Sequence, residues 1–139
     1  IGAFSCLYLL QKNNEYKENL SDLSGISKKH PLLSVSFLII LFSLAGIPPL
    51  GGFFAKFYVF TSVLEQQMYV LAIIGLLTTV ISAFYYLKVI KVIYFDNSIL
   101  KFDKNNNFAV RATLLMSCLF LIVFFIRPSL LINIVNSLF

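Results

Sequence analysis

Tryptophan is absent from the chain, cysteine occurs twice, histidine once, and only six side chains are acidic. Each scarcity removes a class of chemistry. Cys6 and Cys118 stand alone inside apolar runs, without the paired spacing of a zinc site, a redox dithiol or an iron–sulfur cluster. They read as buried apolar thiols. His30 lies in a polar stretch with no partner beside it and reads as a solvated loop residue. No Gly-rich phosphate loop follows a strand pattern, so no nucleotide or dinucleotide site is legible. The start at Ile1 carries no basic segment with a cleavage site, so no signal peptide is legible, and the first residues are expected to continue something longer.

Charge is the scarcest commodity of all. Charged residues make up 12% of the 139, against about 25% in a soluble domain. Hydrophobic residues make up 59% and mean hydropathy is +0.88, so the chain is expected to be an integral membrane protein. The charges that remain cluster at residues 12–29 and 88–111, leaving the apolar runs almost bare. The net charge of +5 therefore reads as membrane topology, and nucleic acid is not an expected partner; lipid is.

Residues 1–10 make only about 15 Å of helix, half of the roughly 30 Å hydrocarbon core, and read as the end of a span. Residues 11–30 form a polar loop, with turn chemistry at 22–27 and Pro31 suited to the first turn of the next helix. Residues 31–66 read as one span built from two apolar pieces, 31–47 and 53–64. A further span covers 68–94, where Gly75, Thr79, Ser82 and Tyr86 recur about one turn apart and offer a close-packing row. Its end carries Tyr85, Tyr86 and Tyr94, with Lys88 and Lys91 placed to reach the headgroups. Residues 95–108 form a second polar loop, 109–127 a last span between Arg111 and Arg127, and 128–139 an amphipathic tail suited to a membrane surface or a partner. The expected fold is all-α: a polytopic transmembrane helix bundle with three spans plus the end of a fourth, one of them discontinuous.

Charge tests that count. If 31–66 crosses once, the two polar loops and their flanks share a side and hold nine of the eleven basic residues, all but Lys56 and Arg127. That satisfies the positive-inside rule. Two separate crossings would put the basic loops on opposite sides.

The most informative stretch is Ser43-Leu-Ala-Gly-Ile-Pro-Pro-Leu-Gly-Gly-Phe-Phe-Ala-Lys-Phe-Tyr58. Pro48 and Pro49 remove backbone donors and stop the first helix, and Gly46, Gly51 and Gly52 allow the chain to turn. Lys56 then falls in the first turn of the next helix. A charge near the bilayer centre costs roughly 2.5–3.5 kcal/mol, and broken backbone at that depth survives only inside protein or beside a wet cavity. Discontinuous helices with ionisable neighbours are a common way of building ion sites. The positive helix end and desolvation both work against a permanent ammonium, which suits reversible protonation. Ser36 and Ser43 are accessory polar candidates, as are Glu65 and Lys88, although membrane serines commonly bond their own backbone. The bland alternative is a lysine that snorkels and anchors a kinked helix.

Residues 43–60 closely resemble the broken-helix motif of the antiporter-like subunits of respiratory complex I. Asp22-Leu-Ser-Gly and Ser82-Ala-Phe-Tyr-Tyr-Leu-Lys88 are similar to the same family, so the likeness runs nearly end to end. A lysine followed by Phe-Tyr-Val-Phe is similar to the subunit 2 branch, where the subunit 4 branch typically has glutamate. The resemblance implies a proton channel in which Lys56 gates exchange with the intermembrane side, with the basic loops facing the matrix. It implies the carboxy-terminal third of a fourteen-helix subunit, whose ionisable residues on earlier helices lie outside this chain. Expected partners are other complex I membrane subunits, including a neighbouring antiporter-like one, and a second polypeptide carrying the missing helices if the gene is split. NADH, FMN, iron–sulfur clusters and quinone would be held by partner subunits. The usage of Phe, Ile, Lys, Asn and Tyr suits an AT-rich mitochondrial genome and hence the mitochondrial inner membrane, with a bacterial plasma membrane second. The rival readings are a cation/proton antiporter subunit and a purely structural membrane subunit.

Overall fold

The structure is a computed structural model that describes residues 1–12, 15–16, 19–48, 50–97 and 107–126. Six helices carry it: α1 (Gly2–Leu9), α2 (Ile26–Lys29), α3 (Pro31–Ala45), α4 (Gly51–Glu65), α5 (Tyr69–Phe95) and α6 (Phe108–Ile126). The expected apolar runs therefore appear as helices within a residue or two of their sequence limits. Pro49, residues 98–106 and the segment 127–139 with Arg127 and the amphipathic tail lie outside the described residues.

The segment between α1 and α3 has more order than a loop. Gln11–Lys12 and Glu15–Tyr16 pair as two short antiparallel strands. Leu20–Leu23 then forms a 3₁₀ turn, capped where the Asn19 N–H donates to the Asp22 carboxylate at 3.2 Å. Gly25 adopts φ +64° and its N–H donates to the Val92 carbonyl at 3.2 Å, which ties this segment to α5. His30 is not a free loop residue; it is the half-buried junction between α2 and α3.

Helix α3 is the hub, in contact with α1, α2, α4, α5 and α6. Its apolar side chains surround it on all sides, as expected of a helix that packs in every direction. The core joins Cys6 and Leu9 of α1, Leu10 that follows it, Leu23 and Ile26, Phe37, Ile40 and Leu41 of α3, Val89, Ile90, Val92 and Ile93 of α5, and Leu114 and Cys118 of α6. All the core residues of α5 thus come from its last two turns. The rest of α5, and all of α4, contribute no fully buried residue.

By length and hydropathy α5 can cross a membrane: its 27 residues span about 40 Å and its best window has mean hydropathy 2.1. Helices α3 and α6 are shorter but apolar. Apart from the two short strands, the described residues thus form a helical segment with one helix long and apolar enough to cross a membrane. On α5, Gly75 meets the Phe60 ring of α4, where an added Cβ would lie 3.0 Å from the ring edge. The small-residue row does admit a neighbouring helix there.

Candidate functional site

The break lies between α3 and α4, and the two helices finish each other's ends. Helix α3 stops in a Schellman arrangement. Gly46 adopts φ +81°, the Ile47 N–H donates to Phe42 O at 3.1 Å, and the Gly46 N–H reaches Phe42 O and Ser43 O. The last two carbonyls, Leu44 O and Ala45 O, take no bond from that cap. Lys56 supplies one to each: Nζ donates to Leu44 O at 3.0 Å and to Ala45 O at 3.1 Å.

Helix α4 begins with the complementary deficit. Its cap residue is Leu50, which has no side-chain acceptor for the exposed N–H groups of the first turn. Ser43 of α3 fills the gap. Its buried Oγ accepts the Gly52 N–H at 3.1 Å, the second position of α4, where an ordinary N-cap side chain would bond. The sequence favoured own-backbone bonding for the serines. Ser36 does that, donating to Leu32 O at 3.0 Å, but Ser43 bridges nine residues across the break.

Two glycines make this approach possible. A Cβ on Gly52 would collide with the backbone carbonyl of Ser43. A Cβ on Gly46 would lie 2.9 Å from Lys56 Cδ and 3.1 Å from its Nζ, so the lysine stem runs directly over that residue. Gly51 faces α6, where an added Cβ would be 2.8 Å from the Phe124 ring. Phe124 also meets Phe54 edge to face at 5.9 Å between centroids. An aromatic wall thus closes the break on the α6 side, a feature that no motif in the sequence announced. Pro48 follows two residues after Gly46, as expected of a chain that has left its helix.

Two sequence expectations change. Because α4 starts at Gly51 and not at Phe53, Lys56 is in its second turn. The Lys56 ammonium also lies at the carboxyl end of α3, which carries about half a negative elementary charge. Glu65 and Lys88 are exposed and are not brought to Lys56. Glu65 is nine residues along α4, about 13 Å. Among the described residues no group of His, Cys, Asp or Glu side chains is placed to hold a metal.

The chemistry this permits follows from counting hydrogens. An ammonium has three N–H donors and a neutral amine keeps two. Leu44 O and Ala45 O take two, which leaves one N–H of an ammonium outside this pair of bonds.

Comparison with known proteins gives a consistent answer. Residues 1–82 match the family described as NADH:quinone oxidoreductase/Mrp antiporter, TM. The chain is 58% identical over 138 residues to NADH-quinone oxidoreductase subunit N of Pelagibacter ubique (strain HTCC1062), covering 99% of this chain and 29% of that protein. Subunit N of Parvibaculum lavamentivorans is 43% identical over 94% of this chain and 27% of its own length. Among solved structures, a chain of respiratory complex I from Thermus thermophilus with bound aureothin superposes with TM-score 0.80 at 26% identity, over 95% of this chain and 30% of that one. The chain thus spans less than a third of the length of these relatives.

Proposed function

The chain belongs to the NADH:quinone oxidoreductase/Mrp antiporter family of membrane proteins, and on that premise we propose that it forms the releasing half of a proton channel in a respiratory NADH:quinone oxidoreductase. Lys56 is the proton carrier. Its protonated amine is held by Leu44 O and Ala45 O, passes the third proton to water on the Glu65 side, and is recharged through helices that lie outside this chain. The observation that carries this reading is the pair of carbonyl acceptors, Leu44 O and Ala45 O, that fix the Lys56 amine at the break. Electron transfer from NADH to quinone takes place on partner subunits, which hold the FMN and iron–sulfur clusters.

Helices α3 and α4 make one discontinuous crossing, supported by the overlap of Ser43 with Gly52. Together with α5 and α6 they give three spans, with α1 the end of a fourth. The two basic loops then share a side, the matrix in mitochondria or the cytoplasm in bacteria. Composition favours the mitochondrial inner membrane, while the relatives named above are bacterial and favour the plasma membrane. The partners are the remaining helices of the subunit, on the same or a second polypeptide, and a neighbouring antiporter-like subunit.

One observation favours a second reading. Lys56 caps α3, and a lysine that does only that is structural. Replacing Lys56 with alanine in the assembled complex, reconstituted into vesicles, separates the outcomes in part. The channel reading expects proton pumping to fall by roughly tenfold or more while NADH oxidation in uncoupled vesicles persists. Undiminished pumping by an assembled Lys56→Ala complex would remove the lysine from the mechanism.

A further inference from the structure

We propose that Ser43 is a positioning residue for Lys56, acting as a clasp that fixes the register of the two half-helices; this inference rests on the reading of Lys56 as a proton carrier. Ser43 is the α3 residue immediately before Leu44 and Ala45, whose carbonyls hold the lysine. Its own side chain holds α4 through the Gly52 N–H. Gly52 lies one helical turn before Lys56, on the same face of α4. Donor, acceptor and carrier therefore form a closed loop: Ser43 Oγ to Gly52, one turn of α4 to Lys56, the ammonium to Leu44 and Ala45, and one residue of α3 back to Ser43.

The loop has consequences that an ordinary cap does not. A cap on Leu50 would satisfy the same N–H without tying α4 to α3 through it. Ser43 satisfies it from the other helix, so the bond sets where α4 stands as well as how it starts. The surroundings reinforce that register, because Gly52 has no room for a Cβ against the Ser43 backbone. Ser36 lies one heptad earlier on the same face, is equally buried, and bonds its own helix. It is the natural control.

The test uses the complete complex in vesicles and reads protons pumped per NADH oxidised for Ser43→Ala, Ser43→Thr, Ser36→Ala, Lys56→Ala and the double variant Ser43→Ala/Leu50→Ser. The double variant gives α4 a local N-cap, since the backbone of Leu50 (φ −84°, ψ 161°) is already that of a capping residue. We expect Ser43→Ala to lower the ratio by roughly two- to thirtyfold, the range a lost cap spans as a population ratio, with Ser36→Ala unchanged and Ser43→Thr restoring it. The double variant is expected to regain any lost assembly while the ratio stays low. Full pumping by the double variant would overturn the proposal, because Ser43 would then be a cap and nothing more. Pumping by Ser43→Ala equal to Ser36→Ala, or Ser43→Thr as poor as Ser43→Ala, would overturn it too. A defect in Lys56→Ala beside a normal Ser43→Ala would sink the clasp alone; wild-type pumping by Lys56→Ala would sink the carrier reading beneath it.

Discussion

The two ends of α3 are held by different forces. Toward its start and middle, α3 meets α1, the 19–30 segment and the last turns of α5 through Ile26, Phe37, Leu41, Ile90 and Ile93, a close-packed apolar cluster. At its carboxyl end it meets α4 through three hydrogen bonds and two glycine contacts, with no fully buried residue on the α4 side. Apolar packing is strong and has no switch, because nothing in it changes with protonation. The polar junction is individually weaker, yet one of its members, Lys56, is ionisable and is the proposed proton carrier. On that reading the molecule keeps its adaptable contact beside a rigid anchor.

Substitutions can sharpen or break that contrast. The largest loss of stability should come from the anchor: Ile93→Ala, at 1% exposure, should cost about 2–5 kcal/mol. The amount of assembled complex should fall, while each complex that survives pumps at the normal ratio. Gly52→Ala comes next, at about 1–3 kcal/mol for forcing a methyl against the Ser43 carbonyl. Here the ratio of pumping to oxidation should drop even in complexes that assemble, which is the reverse of the Ile93 pattern. Gly46→Ala should cost about 1–2 kcal/mol for its left-handed backbone, visible as a lowered thermal midpoint of the detergent-solubilised complex. The smallest effect belongs to Ser36→Ala, at about 0.5–1 kcal/mol, since its hydroxyl bonds its own helix and the Cys118 thiol, away from the break. If Gly52→Ala and Ile93→Ala gave the same pattern, the division between anchor and junction would be wrong.

Much of this was legible in the sequence. Long apolar runs between charged loops fix helices within a residue or two, because a membrane leaves backbone groups few other ways to be satisfied. Gly46, Pro48 and Lys56 marked the break for the same local reason. The start of α4 was misjudged because glycine is a poor helix former in isolation, and only the closeness of Ser43 and Phe124 makes Gly51 and Gly52 the residues that fit there. The partners of Lys56 are not legible locally, because a lysine four carbons long places its nitrogen at the end of α3 while its Cα sits on α4. Ser43 gave no local signal that set it apart from Ser36; its partner is nine residues away, and only the folded break brings them together. The strands at Gln11–Lys12 and Glu15–Tyr16 were hidden by a polar composition that reads equally well as a loop.

The central claim is that Lys56 must release a proton, and arginine tests it most directly. Arginine retains positive charge and N–H donors for Leu44 O and Ala45 O, but does not deprotonate in proteins. In vesicles containing the assembled Lys56→Arg complex, the account predicts normal NADH oxidation in the presence of an uncoupler and proton pumping reduced to the level of Lys56→Ala. Pumping at the wild-type ratio by the arginine complex would contradict it, and would leave Lys56 as a cap on α3.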